Sequence, residues 1–288
     1  MEPIRHDEAQ TSVPAGPYEL FAIKYAQHVS RRSAVFLGGD PHDGPMPMDY
    51  FVWLATGNGR KILIDTGFKK AVGERRGREW LCCPSEAINL LGVSAEEITD
   101  VIMTHLHFDH AGNLDKFPNA TVHIQDREMR FATSQHMGID HASFGRSFEA
   151  DDVVQMVRSV FARRVAFHDG DVDLGRGVEL YLLGGHTPGT QVVRVRTRRG
   201  WVLLVSDASH YYANINEGRP FYIYHDLADL FDGYRRIRRL STTLDHIIPG
   251  HDPLVMEQYP APGPKAEGVA VRLDVAPKFS AVGEAATY

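Results

Sequence analysis

Three histidines and an aspartate fall within the six-residue run His105-Leu106-His107-Phe108-Asp109-His110. The run follows directly on the apolar stretch 100–104, which reads as a strand. At a strand end the pleat sends His105 and His107 to the same side. A tight turn then brings Asp109 and His110 round to face them. Such a loop can give two ligands to one metal ion and two to its neighbour. Imidazole nitrogens with a carboxylate suit Zn2+, with Fe2+ or Mn2+ next. A single loop histidine is more often a hydrogen-bonded structural residue, but ligand count and spacing together mark a metal site.

Short strand-like runs set the frame for this loop. Residues 18–25, 50–56 and 61–65 read as strands, the last two joined by a hairpin turn at Gly57-Asn58-Gly59. Ser94-Ala95-Glu96-Glu97 reads as a helix start with acidic residues in its first turn. Beyond the histidine run come a strand at 120–125 and helical segments at 126–133 and 152–163. Three successive strands follow at 178–183, 191–197 and 201–205. In the segment 226–240, Leu227, Leu230, Phe231, Tyr234 and Ile237 recur at helical spacing. A short strand at 246–248 runs into Pro249-Gly250-His251. These elements divide the chain into a polar N-terminal segment, 1–16, a main domain, 17–260, and an extended or partly disordered tail, 261–288. Within the tail, 269–275 is a candidate contact with a second copy in a homodimer.

Composition narrows the function classes. The 288 residues carry a formal net charge of -6 and are 43% hydrophobic, ordinary for a globular chain. The arginine-rich patches 196–199 and 235–239 read as solvated turn and helix faces, so nucleic acid is not an expected partner. The only two cysteines, Cys82 and Cys83, are adjacent and offer no disulfide framework. With no signal-like leader and no long uncharged apolar run, the expected location is the cytoplasm, away from membranes. The Gly/Pro-rich stretch 36–48 is long enough to suggest a lid over the site. Phe144, Phe221 and Tyr222–Tyr224 are candidates for further apolar wall.

The run His105–His110 is similar to the signature of the metallo-β-lactamase superfamily, and further pieces follow in that family's order. Gly184-Gly185-His186-Thr187-Pro188-Gly189, Ser206-Asp207-Ala208, Pro249-Gly250-His251 and, upstream, Ile62-Leu63-Ile64-Asp65-Thr66-Gly67 each resemble a family motif. The resemblance implies a four-layer αβ/βα sandwich: two mixed β-sheets face to face, flanked by helices, with metals at one edge. It implies that His105, His107 and His186 bind one ion and Asp109, His110 and His251 a second. Asp207 would bridge the two, and Asp65 would orient a ligand imidazole. Two such ions, about 3.5–4 Å apart, share a water and lower its pKa toward neutrality, supplying a bridging hydroxide for hydrolysis.

The ligand identities point to a branch within that superfamily. The dizinc β-lactamases resemble a pattern with cysteine at the Asp207 position, and the diiron oxygen-reducing branch one with glutamate at His107. The chain looks most like the N-acyl homoserine lactonase group, which implies a small-molecule lactone or ester substrate. A thioesterase similar to glyoxalase II, or a cyclic-amide hydrolase, is the alternative on the same centre. In the lactonase group a tyrosine shortly after the bridging aspartate binds the substrate carbonyl. This chain departs there, with His210 and then Tyr211. The candidate catalytic residues are therefore Asp109, Asp207 and either His210 or Tyr211.

Overall fold

Alternate residues along single strands feed two different interiors, and this period of two builds the molecule. In the computed structural model, which describes residues 16–138 and 144–281, β1 (Glu19–Arg31) sends Leu20 and Ala22 to one side and Phe21, Ile23 and Tyr25 to the other. The hairpin β2 (Pro45–Gly57) and β3 (Arg60–Ile64) continues the split: Ile62 and Ile64 face one interior and Leu63 the other. Its turn residues Asn58 and Gly59 hold φ values of 53° and 74°, the left-handed pair a two-residue hairpin turn requires. The first sheet is extended by β4 (Glu79–Trp80), β5 (Asp100–Ile102), β6 (Thr121–Gln125) and β7 (Val165–His168). β1, β2 and β3 pair antiparallel, whereas β3, β5, β6 and β7 run parallel.

A second sheet holds β8 (Val172–Asp173), β9 (Val178–Leu182), β10 (Gln191–Thr197), β11 (Gly200–Ser206) and β12 (Ile247–Pro249). It is antiparallel except where β12 runs parallel to β11. Val193, Val195, Val202, Leu204 and Ile248 meet Leu20, Trp53, Ile62 and Ile64 of the first sheet in a shared core. The alternate residues Val192, Leu203, Val205 and Ile247 pack on Leu230, Tyr234 and Ile237 of the helix Leu227–Leu240. The outer face of the first sheet is covered by Phe131 and Met156, from the helices Asp126–Ala132 and Ala150–Phe161. The result is helix, sheet, sheet, helix, as the resemblance implies. Each fully buried Leu, Ile or Val contributes about 1.5–3 kcal/mol relative to exposure, so the three interiors dominate stability.

Two boundaries differ from the sequence reading. Residues 270–272 form β13 (Ala270–Arg272), which pairs antiparallel with β1, and Leu273 donates its amide to the Leu20 carbonyl at 2.7 Å. Val271 and Leu273 are buried in the inter-sheet core. The domain therefore runs past 260, and this part of the expected tail packs on its own chain, where it satisfies the free edge of β1. Three residues are too few to show a period. The stretch 36–48 is also shorter as a loop than its composition suggests, because Met46 and Pro45 already pair with Ser30 and Arg31. The segments 1–15 and 282–288 lie outside the described residues. No helix among the described residues is long and apolar enough to cross a membrane.

Candidate metal centre

Every candidate ligand sits just beyond a strand end. After β3, Asp65 adopts a left-handed φ of 61°, which costs a non-glycine residue conformational energy. That turn aims its carboxylate at the ligand loop: Oδ1 accepts from the Thr104 amide at 2.7 Å, and Oδ2 from the Thr104 hydroxyl at 2.7 Å. The His110 Nδ1–H also donates to Oδ2, at 2.7 Å. The Gly112 amide donates to the Gly67 carbonyl at 2.6 Å. A Cβ on Gly112 would stand 2.8 Å from that oxygen, so the two loops approach this closely only because the residue is glycine.

His186 follows β9 in a loop where Gly184 and Gly185 hold φ of 70° and 81°. Asp207 follows β11 after Ser206, another left-handed residue at φ 44°. His251 follows β12. The His186 Nδ1–H donates to the Ile223 carbonyl at 2.8 Å and that of His251 to the Asp49 carbonyl at 2.9 Å. With Nδ1 protonated on His110, His186 and His251, each of those rings turns a bare Nε2 lone pair inward.

The inward atoms fall into two sets, His105, His107, His186 and Asp207, and Asp109, His110, Asp207 and His251, each lying within 4.8 Å of one another. Asp207 belongs to both, with its two oxygens divided between them. Oδ2 lies 3.8 Å from His105 Nε2 and 3.4 Å from His186 Nε2. Oδ1 lies 3.2 Å from His110 Nε2 and 2.9 Å from His251 Nε2. Asp109 Oδ2 is 3.7 Å from both His110 and His251. None of the seven residues is more than 8% exposed.

A buried polar cluster must be satisfied, and this one leaves His105 Nε2 and His110 Nε2 with no hydrogen-bond partner. His186 Nε2 and His107 Nδ1 stand 2.9 Å apart, aimed at a common point. Convergent, unpaired imidazole nitrogens around a carboxylate fit a pair of divalent ions, and the nitrogen and oxygen donors suit zinc. Electrostatics separate the two sets: beside His110 and His251 the carboxylates of Asp207 and Asp109 outweigh burial and hold both imidazoles above their usual range. Burial pushes the His105 and His107 imidazoles well down and His186 to about 4, keeping them neutral and able to ligate. Burial would raise the Asp207 carboxyl, but His210, His251 and His110 around it hold it well below the usual range.

The structure adds one residue that the sequence did not disclose. Glu128, on the helix after β6, is completely buried and links the two ligand loops. One oxygen accepts from the Leu106 amide at 2.9 Å; the other accepts from the Thr187 hydroxyl at 2.6 Å and the Gly189 amide at 3.1 Å. Burial lifts its carboxyl to about 7 despite these three donors.

A cavity of about 60 Å³ opens onto the centre. His107, Asp109, His186, Asp207, His210 and His251 line its floor, and Met48, Tyr50, Arg78, Phe108, Phe221 and Tyr222 are among its walls. His210 stacks on Phe221 with ring centroids 3.8 Å apart, and its Nε2 is 3.0 Å from Asp207 Oδ2. Tyr211 does not line this cavity; its ring lies in the core near Phe36, with a buried, unpaired hydroxyl. Of the expected wall aromatics, Phe221 and Tyr222 face the cavity, whereas Phe144 packs on Phe131 and His225, and Tyr224 packs by the helix Leu227–Leu240. From the stretch 36–48, Met48 reaches the cavity. Cys82 packs against the core, where burial raises its thiol to about 11, and both cysteines are free.

Comparison with known proteins agrees with this geometry. An N-acyl homoserine lactonase of Azorhizobium caulinodans is 29% identical over 178 residues, which cover 58% of this chain and 62% of that protein. The chain thus spans under two thirds of that relative's length. An N-acyl homoserine lactonase of Rhizobium radiobacter is 26% identical over 75% of this chain and 85% of its own. A crystal structure of an N-acyl homoserine lactone hydrolase, with N-hexanoyl-L-homoserine at its catalytic metal centre, superposes with a TM-score of 0.70 at 21% identity, covering 84% of this chain and 96% of that one. AidC, a dizinc quorum-quenching lactonase, gives 0.65 at 19%, covering 84% and 90%. At these identities the structural likeness establishes the fold. The model of the metallo-beta-lactamase superfamily matches residues 46–251, most of the chain, and the chain belongs to that superfamily.

Proposed function

We propose that this chain is a dinuclear metal-dependent hydrolase that opens a lactone ring. The observation that carries the reading is the division of the Asp207 carboxylate between two complete ligand sets, one oxygen facing each. His105, His107 and His186 would hold one ion and Asp109, His110 and His251 the other, with Asp207 offering one oxygen to each. Zn2+ is the first choice for this donor set, with Mn2+ or Fe2+ next. When bound, the two ions supply Lewis acidity toward the ester carbonyl and acidify water to near neutrality. The reaction adds water across the ring ester bond, giving a hydroxy acid and one released proton.

The side chains divide the remaining work. Asp109 and Asp207, both on the cavity floor, are the carboxylates assigned to take a proton from water and return one to the leaving ring oxygen. His210 carries the carbonyl-orienting role, since its ring lines the cavity beside Asp207 and Tyr211 is packed away from it. Asp65 and the backbone carbonyls of Ile223 and Asp49 keep the ligand imidazoles in the required tautomer. The names of the sequence relatives support lactone hydrolysis as the class.

Proton release by metal-loaded protein tests this reading against γ-butyrolactone, acyl-homoserine lactones and thioesters, with and without a chelator. Chelator-sensitive ring opening is expected, with Tyr211→Phe close to wild type and His210→Phe slowed. Turnover of thioesters alone would sink the lactonase reading, and loss in Tyr211→Phe equal to that in His210→Phe would remove the role given to His210.

A further inference from the structure

We propose that the natural substrate carries a carboxylate that pairs with Arg78, so that the lactone opened here is acidic. This deepens the lactonase reading above and rests on it. Three arginines stand in the run Glu74-Arg75-Arg76-Gly77-Arg78-Glu79. Two have partners: Arg75 and Arg76 pair with Glu149 at 2.6 and 2.7 Å, and Arg76 also lies over the Phe108 ring at 4.1 Å. Arg78 differs. It lines the cavity beside the metal centre, and no carboxylate among the described residues lies within ion-pair distance of its guanidinium. Its Nη1 donates to the Arg76 carbonyl at 2.9 Å, while its Nε is buried without a partner.

The backbone fixes this placement. Arg78 donates its amide to the Gly73 carbonyl at 2.8 Å and leads directly into β4, which pairs with β1 through Glu79 and Gln27. The side chain is half-buried, so its position is not that of a freely solvated surface arginine. A partly desolvated guanidinium with an unpaired N–H is costly to keep and becomes favourable once an anion completes its donor fork. Outside the metal centre, Arg78 is the one charged side chain among the described residues of a wall otherwise formed by Met48, Tyr50, Phe108, Phe221 and Tyr222 with Ser147 and Ile223. A planar carboxylate matches the guanidinium fork two bonds at a time. The cavity, about 60 Å³, favours a small ring with a compact acidic substituent over a long acyl chain. An acyl-homoserine lactone has no anionic group to offer Arg78.

The test compares kcat/KM for γ-butyrolactone and for the same ring bearing a carboxylate on its β-carbon. Wild type, Arg78→Met and Arg78→Lys are assayed with metal content measured for each. Wild type should favour the acidic ring by roughly 10- to 100-fold, the range expected of hydrogen bonds to a charged group. In Arg78→Met that ratio should fall toward one, while Arg78→Lys, a point charge without the fork, should keep part of it. A wild-type ratio near one, or a ratio unchanged in Arg78→Met, overturns the proposal. If no ring is opened by the metal-loaded protein, it is the lactonase reading that fails. The Arg78 assignment is then read by calorimetric titration with (hydroxymethyl)succinate and 4-hydroxybutyrate. Tighter binding of the dicarboxylate that disappears in Arg78→Met supports it, and equal affinities, or a preference that survives the substitution, overturn it.

Discussion

Around one cavity the molecule uses two kinds of construction. The metal-facing floor is buried, and its hydrogen bonds run through Asp65, Thr104, Glu128 and backbone carbonyls. The Phe221 wall is backed by Phe36, whose segment is held by partly exposed charges. There Asp40 pairs with Arg32 at 2.7 Å and Arg219 at 3.1 Å, and the Leu37 amide donates to the Pro220 carbonyl at 2.8 Å. Both arginines also stand over Phe36, at 4.9 and 4.7 Å. Buried polar networks are costly to break, whereas solvent-facing ion pairs contribute little. The floor thus fixes the chemistry within narrow tolerances, and the wall can change which substrate is admitted at small cost to stability.

Three substitutions would break or sharpen that contrast. The largest effect is expected at Gly250, where an added Cβ would stand 2.7 Å from the Ser206 carbonyl and 2.9 Å from Asp207 Oδ1. Gly250→Ala should displace the bridging carboxylate and lower kcat by about 100-fold, the scale of a misplacement near 1 Å. An active Gly250→Ala enzyme would show that the floor is softer than described.

Next comes Glu128→Gln. Gln has a single acceptor oxygen where three donors converge, so one amide N–H must face a donor. Metal affinity should fall roughly 10- to 100-fold, as for other groups that orient ligands. The metal-free protein offers a second readout. Burial raises the folded-state carboxyl to about 7 from 4.5, so folding holds this proton more tightly than unfolding does. The associated stability is complete below about pH 4.5 and is lost as pH rises through about 7. Tm should decline across that window in wild type, and the part due to Glu128 should be missing in Glu128→Gln. Identical Tm profiles would remove the buried carboxyl from the account.

The smallest effect belongs to the wall. Arg219→Met removes one of two partners of Asp40 and uncovers one face of Phe36, and should shift KM between substrates only a few-fold, since Arg32 still pairs with Asp40. Metal content should not change. Equal loss of metal and activity would mean that wall and floor are one cooperative unit.

The same contrast explains what could be read from the sequence. His105, His107, Asp109 and His110 were legible because they form one run at a strand end. His186, Asp207 and His251, which the fold brings beside them, were reached only through the resemblance of the segments 184–189, 206–208 and 249–251 to family motifs. The four-layer order followed from resemblance and not from periodicity, although the alternation in β1, β3 and β11 is what builds it. Glu128 could not be found this way: in sequence it resembles any solvated acid early in a helix, and its partners Leu106, Thr187 and Gly189 come together only in the fold. Arg78 was hidden for a related reason, inside a charged run that reads as a surface turn. The strand β13 escaped because three residues in an Ala/Pro/Gly/Val-rich tail carry no pattern.

The central claim, a pair of ions joined through Asp207, is tested most directly by counting metal. Elemental analysis of dialysed protein should find two ions per chain in wild type, one for each ligand set. Asp207→Ala, folded by circular dichroism, should retain at most one and lose ring opening. Two ions retained in Asp207→Ala, or a wild type that never holds more than one, would contradict the account.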